Sequence, residues 1–418
     1  MTTNAVPPIV LAIDTSCDET SVAVTQGQTI LSNVVASQVE LHRPYGGVFP
    51  TVAKLAHQEH VAPAIALALK RAHLTPAELD GVVVTVEPGL APALEVGIKA
   101  AQDFASLHQL PLIPANHLEG HILSVLAQPR HTEGKSGIAD SEIAQEKTSA
   151  DKLSKPNLAP KLPSLAIIVS GGNTLFVSVA TLSGDTLPQP VRHQAPPASH
   201  DHSPLTASPL QRQPHLQLDT PFDQTSWQPK FVYTILGRTL DDAAGECLDK
   251  VGRMLNLGYP AGPVIEQFAR LGDPKRYPFP LPLTQTKTFD LSYSGIKTHS
   301  RNLLTDLGGI DALNKQDIYD FCASLQHAVF RHLTYKLEKI LVADLQTTTP
   351  FREVWLSGGV AANKALRTTL RQTLKNHAAQ NQLTTLRLRT PYTKKLCGDN
   401  AAMIGLCIHT ISSTSMQG

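Results

Sequence analysis

Short apolar runs separated by polar turns open the chain. "PPIVLAIDTSCDETSVAVTQGQTILSNVVAS" alternates β-branched stretches with turns of Asp, Ser and Gly, and so predicts strand, turn, strand, turn, strand. "HQEHVAPAIALALKRAHLT" and "LEVGIKAAQDFASLHQ" carry helical spacing, while "LDGVVVTVEPG" and "LPLIPA" read as buried strands. "NHLEGHILSVLAQ" predicts a helix with Asn116 as its N-cap. At "LPSLAIIVSGGNTLFVSVATLSG" the strand-turn-strand pattern restarts. Later, "REVWLSGGVAANKALRTTLRQTLKNHA" predicts strand, Gly-Gly loop and helix, and "TLRLRTPY" and "CGDNAAMIGLCIHTIS" a last strand and helix. Strands alternating with helices argue for α/β layers, and the repeated opening argues for two related halves.

Two stretches interrupt this pattern. Residues from about Arg130 to Lys161 are polar and aperiodic, and those from about Ser183 to Pro229 are rich in Pro, Gln and His. Neither can bury enough apolar surface to offset its ordering entropy, so both read as surface insertions. The expected organisation is a first half over 1–127, a polar insertion over 128–162, and the opening hairpin of the second half over 163–182. A second insertion follows over 183–230, then a helical substrate-binding part over 231–350 and a closing part over 351–418. His200 and His202 in "SHDHS" resemble a metal tract, but an exposed low-complexity loop explains them better.

Composition narrows the class. The 418 residues are 42% hydrophobic, enough for a large core and more than one domain. A formal net charge of +1 excludes a general electrostatic attraction for nucleic acid, leaving a local basic face or a partner to hold RNA. Five cysteines without CxxC spacing imply neither a disulfide framework nor a zinc knuckle. The start carries no charged segment followed by a long apolar one, and no apolar run approaches the roughly 20 residues of a membrane span. A cytoplasmic protein without membrane contact is expected.

The chemistry concentrates in three places. His117 and His121 stand at i and i+4, sharing a helix face, which suits two imidazole ligands on one divalent ion or two polar helix residues. Zinc proteolysis would need a Glu directly after the first His; Leu118 stands there, and Glu119 points about 200° round the helix. A third ligand must come from elsewhere: Asp399, between a strand and a helix start, can be a cap, a ligand or both. Next, "VSGGNT" and "LSGGVAAN" each place Ser-Gly-Gly after a buried strand, where free N–H groups can hold phosphate oxygens. Tight turns use the same residues, and neither a P-loop nor a convincing dinucleotide fingerprint is present. Finally, Asp241, Asp242, Glu246 and Asp249 form an acidic helix-like run, with Asp242, Glu246 and Asp249 on one face.

Together these segments resemble the universal family of tRNA N6-adenosine threonylcarbamoyltransferases. The likeness runs in order through "LAIDTSCDETSVAV", "HRPYGGVFP", "NHLEGHILS", "IIVSGGNTLFV", "LGRTLDDAAGECLDKVGRMLNLGYPAGP", "FDLSYSGIKT", "LSGGVAANKALR" and "CGDNAAMIG". It implies an actin-like, sugar-kinase-like α/β fold of two related halves around a central cleft. The implied activity is transfer of threonylcarbamoyl from threonylcarbamoyl-AMP to N6 of adenosine 37 in tRNAs reading ANN codons. By resemblance, His117, His121 and Asp399 hold one divalent metal, iron first and zinc second. Val169, Ser170, Gly171, Gly172 and Asn173 would contact the adenylate, Asp249, Gly262 and Glu266 the ribose and its neighbours, and Asn363 the adenine side. Implied partners are tRNA, a smaller inactive paralogue and a P-loop ATPase. Asp14 and Glu19 are general-base candidates, with a turn-stabilising role equally open.

The chain departs from the family pattern at Asn173, where His is usual, and at Thr51 and Leu55, which replace a Glu and an Arg. Pro92 stands where a small or flexible residue is common. Competing readings are an actin-like ATPase or small-molecule kinase, and a silent nucleotide-binding scaffold.

Overall fold

The computed structural model describes residues 6–130, 159–181 and 231–408. Most of both expected insertions, with His200 and His202, lies outside these residues.

The first half opens with an antiparallel meander, β1 (Ile9–Asp14), β2 (Glu19–Gln26) and β3 (Thr29–Ser37). A one-turn helix α1 (Val39–His42) and the long α2 (Pro50–Ala72) lead to β4 (Gly81–Glu87) and α3 (Ala91–His108). Then come β5 (Leu112–Asn116), α4 (His117–Leu123) and the short β6 (Gln128–Pro129). β4 runs parallel to β1 and β5 parallel to β4, giving the order β5-β4-β1-β2-β3-β6.

The second half repeats this plan. β7 (Ser164–Val169), β8 (Thr174–Thr181) and β9 (Phe231–Arg238) form the antiparallel meander. A helical block follows: α5 (Ala244–Met254), α6 (Gly262–Ala269), α7 (Ser294–Asp306) and α8 (Lys315–Asp344). The chain closes with β10 (Glu353–Ser357), α9 (Lys364–Gln380), β11 (Arg387–Arg389) and α10 (Ala401–Gly405). β10 is parallel to β7 and β11 to β10, in the order β11-β10-β7-β8-β9. Mapping β1–β5 onto β7–β11 converts one order and one set of directions into the other. The protein therefore consists of two α/β halves of one topology, the actin-like, sugar-kinase-like arrangement.

Each sheet is covered on both faces, which is why its central strands are continuously apolar. In β1, Leu11 and Ile13 pack outward with β2, β4, α2 and α3, while Val10 and Ala12 face a core shared by the two halves. In β7, Leu165, Ile167 and Val169 join the helical block, and Ala166 and Ile168 enter the shared core. Two short helices fill that core by exchange. α4 leaves the first sheet and packs on β7 and β10, whereas α10 leaves the second sheet and packs on β1, β2 and β3. They also pack on each other, so tightly that a Cβ at Gly120 would lie 2.8 Å from the Ile404 side chain. Among the described residues, no helix is long and apolar enough to cross a membrane.

Candidate metal centre

The exchanged helices bring the metal-ligand candidates together. Asn116 ends β5 and caps α4, its side chain accepting from the N–H groups of Leu118 (2.9 Å) and Glu119 (3.3 Å). This fixes His117 at the first helical position and His121 one turn on, both buried, their rings 4.7 Å apart. Asp399 arrives from the other half, in the loop before α10. Its Oδ1 lies 3.1 Å from His121 Nε2 and 3.6 Å from His117 Nε2. One ligand atom from each residue falls within 4.8 Å of the others. The cap of α10 is the neighbouring Asn400, whose side chain accepts from Met403 N–H (3.1 Å), so Asp399 is not spent on capping.

The donor set fits a divalent ion. Both ring nitrogens of His121 and Nδ1 of His117 are buried without a hydrogen-bond partner, although Asp399 is in reach. Asp399 therefore lies off the hydrogen-bonding direction of the His121 Nε2. Two imidazoles and a carboxylate at these separations suit an ion binding each at about 2.0–2.2 Å. Electrostatics agree. Burial opposes charge on both partners, yet Asp399 and Asp14 push the His117 imidazole up to about 10. The Asp399 carboxyl, despite its burial, is held far below the usual range by His117 and His121. Asp14 stands behind His117, Oδ2 3.5 Å from Nδ1, where a carboxylate orients a ligating imidazole. Its other oxygen accepts from Ser16 N–H (3.2 Å). Glu119 points away and accepts from Tyr233 OH on β9 (2.9 Å), so it does not take the place of the general base in an HExxH protease.

Beside the triad, the β1–β2 turn presents acids. Burial first, then Asp399, Asp18 and Asp14, push Glu19 up to about 8. Asp18 is raised chiefly by burial, as is the Cys17 thiol.

The two Ser-Gly-Gly turns also meet. In the first, Ser170 N–H donates to Asn173 C=O (2.8 Å) and Asn173 N–H to Ser170 Oγ (3.0 Å), leaving Gly171 and Gly172 exposed with open space beside their Cα atoms. Gly358 of the second turn has φ +92° and abuts β7 so closely that a Cβ would lie 2.4 Å from Val169 C=O. Gly245 at the start of α5 does the same against Ser170 C=O, at 2.6 Å. Val169 turns its side chain into the core, so only its backbone borders the turn.

The remaining expected contacts gather at one corner of the second half. Asp249 on α5 accepts from Ala261 and Gly262 N–H (2.8 and 3.2 Å), and burial raises its carboxyl. Glu266 on α6 accepts from Lys364 N–H (3.0 Å) and pairs with Arg270 (2.8 Å). Asn363 caps α9 through Oδ1 and donates to Gln326 (2.7 Å).

The acidic helix face expected from Asp242, Glu246 and Asp249 needs correction. α5 begins at Ala244, and both Asp241 and Asp242 precede it. Asp241 instead accepts from the N–H groups of Tyr293 and Ser294 and the hydroxyls of Ser292 and Ser294. Lys250 bridges Asp242 and Glu246, and Lys297 pairs with Asp242. Sequence reasoning missed the placement of Asp14 behind His117 and the link from Glu119 to Tyr233, because such long-range pairs leave no local pattern.

The family model described as tRNA N6-adenosine threonylcarbamoyltransferase (TsaD) matches residues 29–135 and 223–406. Proteins of that name from Lactiplantibacillus plantarum and Enterococcus faecalis are each 36% identical to this chain, covering 95% of it and 88% of their own length. The chain belongs to this family. A solved structure, component A of (R)-2-hydroxyglutaryl-CoA dehydratase from Acidaminococcus fermentans, aligns over 96% of this chain and 97% of its own at 11% identity and a TM-score of 0.42. The threonylcarbamoyltransferase assignment rests on the family match, and the fold on the strand orders above.

Proposed function

We propose that the protein transfers the threonylcarbamoyl group of threonylcarbamoyl-AMP to N6 of adenosine 37 in tRNAs reading ANN codons, forming t6A and releasing AMP. The observation that carries this reading is the meeting of His117 and His121 from one half with Asp399 from the other, in a chain of this family. The mixed carbamoyl-phosphate anhydride is already activated, so no protein nucleophile is needed. The amine nitrogen bonds to the carbamoyl carbon, the carbon–oxygen bond to AMP breaks, and the amine gives up a proton. A divalent ion on the triad, iron in first place and zinc in second, would supply Lewis acidity toward the carbamoyl oxygen.

The chain's own groups do the rest. The backbone N–H groups of the exposed Gly171 and Gly172 balance charge on the departing phosphate, which the open space beside both Cα atoms lets approach. Asp249, Gly262 and Glu266 hold the ribose side. Asn363, its amide already engaged by Gln326 and the helix cap, gives the adenine a fixed surface. Asn173 cannot titrate near neutrality, so it positions rather than moves a proton. Of the two general-base candidates, Glu19 suits the amine proton better, because Asp14 is committed behind His117. The smaller paralogue, the P-loop ATPase and a cytoplasmic setting belong to the same proposal.

The test is nucleoside analysis of tRNA incubated with the purified protein, its partner proteins and threonylcarbamoyl-AMP. The native protein should form t6A, and His117→Ala and Asp399→Ala should lose metal and at least about a hundredfold in turnover. Sugar phosphorylation without tRNA modification would instead establish a kinase, and nucleotide binding without turnover a scaffold.

A further inference from the structure

A line of buried polar groups runs from the loop after α1 to the β1–β2 turn, and the mechanism above does not use it. Gln38, His42 and His57 are each 0% exposed. Phe49 N–H lies 3.3 Å from His42 Nδ1, and His42 Nε2 lies 3.2 Å from Gln38 Oε1. Gln38 Nε2 lies 3.2 Å from His57 Nδ1, which Thr20 Oγ1 also approaches at 2.8 Å. His57 Nε2 reaches the Cys17 carbonyl at 3.1 Å.

The two ends fix the tautomer of both rings. A backbone N–H can only donate, so His42 Nδ1 accepts from Phe49 and its proton sits on Nε2, facing Gln38 Oε1. The Gln38 amide nitrogen then faces His57 Nδ1 (3.2 Å) and Thr20 Oγ1 (3.4 Å), and the Thr20 hydroxyl, at 2.8 Å, is the closer donor to the single lone pair of Nδ1. His57 keeps its proton on Nε2 and donates to Cys17 C=O, which can only accept. Both rings are thus held neutral, and burial lowers the affinity of both for a second proton. At the far end, Gly46 and Gly47 lie against the Arg253 side chain of α5, at 3.2 and 3.6 Å from where their Cβ atoms would be. The line therefore joins a loop seated on the second half to the acidic turn beside the triad.

We propose that His57 is a positioning residue, which sets the β1–β2 turn, and with it Asp14 and Glu19, by holding the Cys17 carbonyl. Replacements separate its two contacts. In His57→Gln the amide nitrogen can take the place of Nε2 and keep the donor to Cys17. In His57→Asn the shorter amide mimics only Nδ1 and leaves the Cys17 carbonyl unmet. Gln38→Met cuts the line while leaving His57 in place.

The turnover readout rests on the proposed transferase activity; hydrogen exchange of the amides at 15–19 does not. Folded full-length His57→Asn should exchange faster in this turn than the native chain, whereas His57→Gln and Gln38→Met, which both keep the donor to Cys17, should exchange at nearly the native rate. With partner proteins, tRNA and threonylcarbamoyl-AMP present, kcat should fall about tenfold in His57→Asn with KM little changed, and recover in His57→Gln. Equal exchange in His57→Asn and the native chain, or equal losses in the Asn and Gln variants, would overturn the positioning role. Should the native chain form no t6A, the transferase reading fails while the exchange comparison still decides this one.

Discussion

His332 shows how one buried ring ties stability to pH. It is fully buried on α8, accepts from Ser292 N–H (3.1 Å) and meets the Tyr293 ring edge-on. Burial, helped by the nearby Lys336 ammonium, lowers it to about 4. An unfolded histidine titrates near 6.5, so between about 6.5 and 4 the unfolded chain binds the proton and the folded one does not. The contribution is present above about 6.5 and lost as pH falls toward 4, by up to about 3 kcal/mol. Urea titrations of native and His332→Gln protein from pH 7 to pH 4 should show a shallower loss in the variant; parallel curves would refute the assignment. The pH sensitivity was not legible in the sequence, because His332 is one polar residue among many on a long helix. His117 and His121 were legible, because helical periodicity alone puts i and i+4 on one face. Asp399 stayed open between cap and ligand, since an Asp before a helix can be either and only the fold shows that Asn400 makes the cap.

The packing of α5 on the first Ser-Gly-Gly turn makes its own prediction. Gly245 lets the helix start touch the strand end, with Gly245 N–H donating to Ser170 C=O (3.1 Å). Gly245→Val would drive methyl groups into that carbonyl, costing about 1–3 kcal/mol of stability. Calorimetry should show the lower melting temperature, and KM for threonylcarbamoyl-AMP should rise while the metal content stays native. Most strands and helices could be read from their apolar spacing. The start of α5 could not, because "DDAAGE" has no residue that stops a helix. Its true boundary comes from Asp241, whose carboxylate is claimed by the backbone at 293 and 294, and from extended Ala243 (φ −72°, ψ 161°). The repeated strand-turn-strand opening did reveal two halves. It could not reveal which sheet each short helix would cover.

That exchange decides how the molecule holds together. The ligand candidates belong to different halves, so an ion bound to all three fastens α4 to the loop before α10. Occupancy then adds to folding stability by mass action, about 2.7 kcal/mol at a hundredfold excess over Kd. Chelation should lower the melting temperature and metal return restore it, whereas Asp399→Ala should melt alike with or without chelator. An unchanged melting curve for the native chain would show that the ion does not bridge the halves. The same exchange orders the protein's synthesis. β1 and β2 are made hundreds of residues before the helix that begins at Ala401, which covers their inner face, with Val10, Ala12 and Ala23, and is anchored by Ala401 N–H on Ser21 Oγ (2.7 Å). A growing chain on the ribosome therefore keeps that apolar face without its covering helix until the residues from Ala401 onward have emerged, so the first half completes its packing only together with the second.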